Sequence, residues 1–195
     1  MDKKILVTGG AGYIGSHVVR QLGEAGYNVI VYDNCSTGCA DSILHGELVI
    51  GDLADTELLY NILTQHQFSA VLHFAASLIV PESVARPLDY YSNNTRNTLN
   101  LLQCCHRTGI NKLIFSSTAA VYGEPEKIPV TESTPTQPIN PYGRSKLMSE
   151  WLIQDYAAVS DLNYVILRYF NVAGADSSGR LGQISPNATH LIKVA

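Results

Sequence analysis

The sequence predicts an α/β fold, a doubly wound parallel sheet with helices on both faces. Three observations carry this. Short apolar, β-rich runs alternate with helical stretches along the chain. Most of these runs are continuously apolar, the pattern of strands buried on both faces. The first run leads straight into a glycine-rich turn and then a helix.

The elements follow in order. The first strand is Lys4 to Thr8, and the helix after the turn is Tyr13 to Ala25, with Gly26 where a C-cap belongs. Strands at Asn28 to Tyr32 and Glu47 to Ile50 precede a helix at Thr56 to His66. A fourth strand, Ala70 to Phe74, is followed by a long helix, Leu88 to Arg107, closed by Gly109. The fifth strand is Lys112 to Ser116. Glu124 to Pro141 holds five prolines and reads as an ordered loop. A helix at Gly143 to Val159 and a strand at Tyr164 to Leu167 complete the pattern.

Composition bounds the function. The chain has 195 residues, 46% hydrophobic and 15% charged, enough for a sizeable core and too apolar for disorder. A net charge of −4 lacks the basic excess of a nucleic-acid binder. The start, MDKKILVTGG, has too short an apolar run for an export signal, and no window reaches the roughly 18 apolar residues of a membrane span. Cys35 and Cys39 have no second pair at ligand spacing, so no metal is expected. A reduced, cytoplasmic setting is the reading that remains.

Gly9-Gly10-Ala11-Gly12-Tyr13-Ile14-Gly15 holds two overlapping glycine frames. The early glycines permit a tight turn, Gly12 lets backbone approach a pyrophosphate, and Gly15 lets the helix pack closely. The helix N-terminus then meets the phosphate charge. Asp33 ends the second strand, where a carboxylate accepts from ribose hydroxyls and repels a 2′-phosphate, favouring NAD over NADP. The alternative for Asp33 is a turn cap. Asp52 either reaches the adenine or caps the helix at Thr56. Phe74-Ala75-Ala76 ends the fourth strand with small residues, against which a cofactor or ordinary packing can lie.

Tyr142 and Lys146 stand at i and i+4 and share a helix face, behind an Asn140 cap and Pro141 at the first helical position. A Lys ammonium and a nicotinamide ring are expected to lower the tyrosine towards neutrality, as a general base requires. Lys146 also suits the nicotinamide ribose. A hydroxyl partner should end the fifth strand, and spacing alone leaves Ser116, Ser117 and Thr118 open.

Together these residues resemble the extended short-chain dehydrogenase/reductase family, and within it the UDP-glucose (UDP-galactose) 4-epimerases. The resemblance rests on TGGAGYIGSH, HFAA with PESV, YYSNN, SSTAAVYGEP, NPYGRSKLMSE and LRYFNVAGAD, and covers essentially the whole chain. It implies a Rossmann fold in which Thr118 is the catalytic hydroxyl, Tyr142 the base and Lys146 its partner. It further implies that Gly9, Gly12, Tyr13, Ile14, Asp33, Asn34, Asp52, Leu53, Phe74, Ala75, Ala76, Asn93, Ser116 and Tyr169 join Tyr142 and Lys146 around NAD. Phe170, Asn171 and Asn187, with Thr118 and Tyr142, would touch a UDP-sugar. The implied reaction inverts C4 by transient oxidation with bound NAD and non-stereospecific hydride return.

The resemblance also implies a possible homodimer through the Leu88 to Arg107 and Gly143 to Val159 helices. It sets residues 1–180 as the NAD-binding domain and 181–195 as the start of a truncated substrate-binding region, the rest of which is missing. NAD binding with weak or no turnover is therefore expected of the isolated chain. Leu78 stands where some epimerases carry Lys. Ala119-Ala120 replaces the acidic pair of a 4,6-dehydratase, which argues against dehydration. UDP-N-acetylglucosamine epimerisation and a non-catalytic NAD-binding fragment are the alternatives.

Overall fold

The computed structural model describes residues 4–184. Its strands are β1 (Lys4–Thr8), β2 (Asn28–Asp33), β3 (Glu47–Ile50), β4 (Phe68–His73), β5 (Lys112–Ser116) and β6 (Asn163–Leu167). All pair in parallel in one six-stranded sheet of order β3-β2-β1-β4-β5-β6. The helices are α1 (Tyr13–Glu24), α2 (Thr56–Gln65), α3 (Val80–Ala85), α4 (Pro87–Tyr90), α5 (Asn97–Thr108) and α6 (Pro141–Ala158).

Alternation along the strands builds two core layers. Ile5, Val7, Val29, Val31 and Leu72 pack with Val19 of α1. On the opposite face Leu6, Ile30, Val71, Leu113 and Phe115 pack with Leu59 of α2, Leu101 of α5 and Ile153 of α6. β6 departs from the expected double burial: four of its five residues are exposed, because it is an edge strand beyond the reach of α1.

Local signals explain the helix ends. Asn140 Oδ1 accepts from Gly143 N at 2.8 Å, with Pro141 opening α6. Gly109 adopts the left-handed conformation (φ 73°) as the C-cap of α5, and Ile110 N returns to Cys105 O at 3.0 Å. The α2 cap is Asp55, whose Oδ1 accepts from Leu58 N at 3.0 Å, and not Asp52.

Two elements differ from expectation. The fourth strand runs Phe68–His73, starting two residues before and ending one residue before the expected span. The long helix is interrupted between α4 and α5 by a π-helical segment, Tyr91–Arg96, and preceded by the short α3. The wider π turn carries Asn94, whose side chain accepts from Ser77 N (2.8 Å) and donates to Ser77 O (2.9 Å) and Ser145 Oγ (3.0 Å). This pins the segment after β4 to α6.

Candidate active site

Strand order reverses between β1 and β4, and in open parallel sheets ligands bind beyond the carboxyl ends of the strands at that point. Phe74 N and Ala75 N both donate to Thr8 O, at 2.9 and 3.1 Å, holding the two strand ends together. Gly9 has φ 73°, and a Cβ there would lie 2.4 Å from Ala75 N. A Cβ on Gly15 would lie 2.2 Å from Gly9 O, so α1 packs onto the turn itself. Around Gly12 a Cβ would meet only Gly9 O, at 3.3 Å, and no side chain caps α1. Open space therefore lies before the positive end of a helix whose first amides lack a side-chain acceptor. That arrangement fits a phosphate group.

The acidic residues are more engaged than expected. Asp33 Oδ2 accepts from Ala11 N at 2.9 Å and Oδ1 from Cys35 N at 2.8 Å, so the carboxylate braces the glycine turn. Each oxygen keeps a second lone pair for another donor. Asp52 takes Asn34 Nδ2 at 2.7 Å and Ala54 N at 2.8 Å. Leu53 is buried in the core, and its carbonyl accepts from Asn100 Nδ2 at 3.0 Å. Tyr13 donates to Gly174 O at 2.5 Å, while Ile14 lies half-buried in the first turn of α1. Phe74, Ala75 and Ala76 are half-buried. Asn93 donates to Ser77 Oγ at 2.9 Å.

The three hydroxyls after β5 take three different partners. Ser116 Oγ bonds Tyr169 Oη at 2.5 Å, Ser117 donates to Glu150, and Thr118 Oγ1 accepts from Ala120 N at 3.1 Å while lying close enough to the Tyr142 phenol to favour its ionised form. Lys146 is buried, and its Nζ donates to Ser116 O at 2.7 Å and lies 4.8 Å from the Phe115 ring centroid. Tyr90 meets Tyr142 edge-on at 6.5 Å. Thr118, Tyr142, Lys146, Ser116 and Tyr169 thus converge. Phe170 and Asn171 are exposed beyond them. Asn187 lies outside the described residues.

Burial governs the electrostatics of the two helix residues. Burial raises the Tyr142 phenol, opposed by the Thr118 hydrogen bond and reinforced by Tyr169, so the tyrosine of the chain itself is not lowered towards neutrality. Burial also pulls the Lys146 ammonium down to about 7, against the upward pull of Glu150.

Sequence reasoning missed Glu150, Arg168, Asn94 and Tyr90. Glu150 carried a signal: it stands four residues after Lys146, on the same helix face. That face buries Ser145, Lys146, Ser149 and Glu150, so no apolar stripe marks it.

The description "NAD dependent epimerase/dehydratase family" belongs to the family model that matches residues 5–193. A UDP-glucose 4-epimerase of Azospirillum brasilense is 57% identical over 193 residues, which cover 98% of this chain and 56% of that protein. The crystal structure of UDP-glucose 4-epimerase from Brucella ovis in complex with NAD is 46% identical, covers 99% of this chain and 59% of that one, and superposes with a TM-score of 0.97. The UDP-Glc/GlcNAc 4-epimerase of Campylobacter jejuni is 49% identical with a TM-score of 0.88, over 98% of this chain and 60% of that one. The chain spans a little over half the length of the curated relatives it matches.

Proposed function

From a chain that belongs to the NAD dependent epimerase/dehydratase family, we propose an activity: interconversion of UDP-glucose and UDP-galactose at C4 with bound NAD. The observation that carries the reading is the grouping of Thr118 beside the Tyr142 phenol, with the buried Lys146 one turn along α6 and bonded to Ser116 O, beside the strand-order reversal. Relatives named UDP-glucose 4-epimerase support the substrate class.

In this reading the amides opening α1 bind the pyrophosphate, because Gly12 leaves the helix end uncovered. Asp33 receives the adenosine ribose through its spare lone pairs. NAD held there would supply a hydride acceptor and donor for the sugar C4. Tyr142 takes the proton of the 4-hydroxyl and later returns it. Thr118 stands beside the phenol, where its hydroxyl favours the phenolate and so lowers its cost. Lys146 adds positive charge only while protonated, and its position at about 7 makes that charge pH-dependent near neutrality.

A second substrate, UDP-N-acetylglucosamine, is favoured by the Campylobacter jejuni neighbour. A homodimer goes with the proposal, since Leu88, Leu99, Met148 and Trp151 are exposed on α4, α5 and α6. A doubled mass in solution supports it, and a monomer at every concentration overturns it. No described helix is long and apolar enough to cross a membrane. The four cysteines are free thiols, which supports a reducing, cytoplasmic setting.

The test is an epimerisation assay with UDP-galactose and UDP-N-acetylglucosamine, with bound nucleotide extracted and identified. NAD retained by both proteins, with the weak turnover of the wild-type chain lost in Tyr142→Phe, is the expected outcome. NAD recovered without wild-type turnover favours a cofactor-binding fragment, and absence of NAD overturns the reading.

A further inference from the structure

Behind Lys146 lies a charged group that the proposed chemistry does not use. The Glu150 carboxylate is fully buried, one helical turn past Lys146. Arg168, just after β6, forks onto it: Nε donates to both oxygens at 3.1 Å and Nη2 to Oε2 at 2.5 Å. Ser117 Oγ donates to Oε1. Arg168 Nη1 donates to Tyr122 Oη at 2.9 Å, and the guanidinium lies 5.0 Å from that ring.

A buried ion pair is a weak source of stability, because desolvation offsets most of its Coulomb gain and apolar replacements are often as stable. The reason for this one lies in what it joins. α6 supplies Tyr142 and Lys146; Ser117 is followed by Thr118; Arg168 is followed by Tyr169. Backbone bonds hold the two strand-end segments in register, from Ser117 N to Leu167 O at 2.9 Å and from Ala119 N to Tyr169 O at 3.0 Å. Glu150 ties this unit to the helix that faces it.

The carboxylate also stands one helical turn from Lys146 and opposes the effect of burial on its ammonium. On β4, His73 feels the Lys146 charge and is itself held neutral by burial. On β5, Lys146 meets the Ser116 carbonyl and the Phe115 ring, neither ionisable. Beyond β6, the Arg168 charge is engaged with Glu150 and Tyr122. Tyr142 and Tyr169 are both raised by burial and so uncharged. Glu150 is the acid whose charge opposes the burial of Lys146.

We propose that Glu150 and Arg168 are positioning residues: the pair locks the Thr118 and Tyr169 segments against α6, and Glu150 supplies the counter-charge that keeps the buried Lys146 ammonium in place. The inference rests on the proposed function only for what Lys146 does next. Its test needs neither cofactor nor sugar, so its result stands apart from the turnover assay.

The experiment follows Lys146 by NMR in the ligand-free chain with Cε-labelled lysine, assigned through Lys146→Arg. In Glu150→Gln the Lys146 midpoint should fall from about 7 by about one pH unit or more, because a neighbouring opposite charge has been removed. Glu150→Asp, which restores the charge, should bring the midpoint most of the way back. If Glu150→Gln fails to fold, the double variant Glu150→Gln with Arg168→Gln avoids leaving the Arg168 guanidinium without its carboxylate, and a smaller shift of Lys146 in the same direction is expected. A Lys146 midpoint unchanged in either folded Gln variant overturns the proposal.

Discussion

Acid should destabilise this chain through His73, and the structure gives the size of the effect. The ring is 1% exposed at the end of β4. Thr98 Oγ1 donates to Asn94 O at 2.6 Å, so it accepts from His73 Nε2 at 3.0 Å. His73 Nδ1 is then left to accept from the Thr8 hydroxyl at 2.7 Å. Both nitrogens are satisfied in the neutral form. Burial, aided by the Lys146 charge, holds the imidazole down to about 3. The unfolded chain takes its proton near ~6.5. Between these values the unfolded state binds a proton that the native state refuses, so stability falls as pH falls. Above the window His73 contributes no pH dependence, and below about 3 the loss is complete. The slope rises to about 1.4 kcal/mol per pH unit below the unfolded pKa, so the loss between pH ~6.5 and ~4.5 is about 2 kcal/mol. Carboxylates add their own acid loss, so the comparison is with His73→Gln, which cannot titrate but keeps an acceptor for Thr8 and a donor for Thr98. Urea unfolding across this range should show the wild-type advantage over the variant shrinking by about 2 kcal/mol. Parallel stability curves, or a His73 ring titrating near neutrality by NMR, would refute the reasoning.

Further outcomes follow from the same geometry. Gly15→Ala sets a Cβ 2.2 Å from Gly9 O, so α1 must lift off the turn. A loss of about 1–3 kcal/mol in urea unfolding is expected, and an unchanged midpoint would mean that the turn yields cheaply. Asp55→Ala removes the Leu58 N acceptor at the start of α2 and should cost about 1 kcal/mol in the same assay. Burial pushes the Cys105 thiol up to about 12 and also raises Cys104. Timed labelling with a thiol reagent should therefore reach the half-buried Cys35 and Cys39 first, and Cys104 and Cys105 only on denaturation. Early modification of Cys105, located by peptide mapping, would contradict the burial of α5.

What the sequence determined is what neighbouring residues decide. Short, mostly continuous apolar runs identified six strands, since a strand buried in the sheet needs apolar groups on both faces wherever its partners lie, while the edge strands β3 and β6 are largely open. Gly9 to Gly15 gave the turn, Asn140 and Pro141 gave the start of α6, and i,i+4 spacing put Tyr142 and Lys146 on one face. The resemblance chose Thr118 among three adjacent hydroxyls, which spacing left open. The tertiary structure separates them physically, because Tyr169, Glu150 and Tyr142 each claim one across 53, 33 and 24 positions of the chain. It also decided the direction of the Tyr142 and Lys146 shifts, which follow from burial rather than from their spacing. The Glu150 to Arg168 pair, the neutral His73 and the π turn carrying Asn94 belong to the same class. Desolvation and charge are summed over every group that the sheet and helices bring together, and most of those groups are remote in sequence.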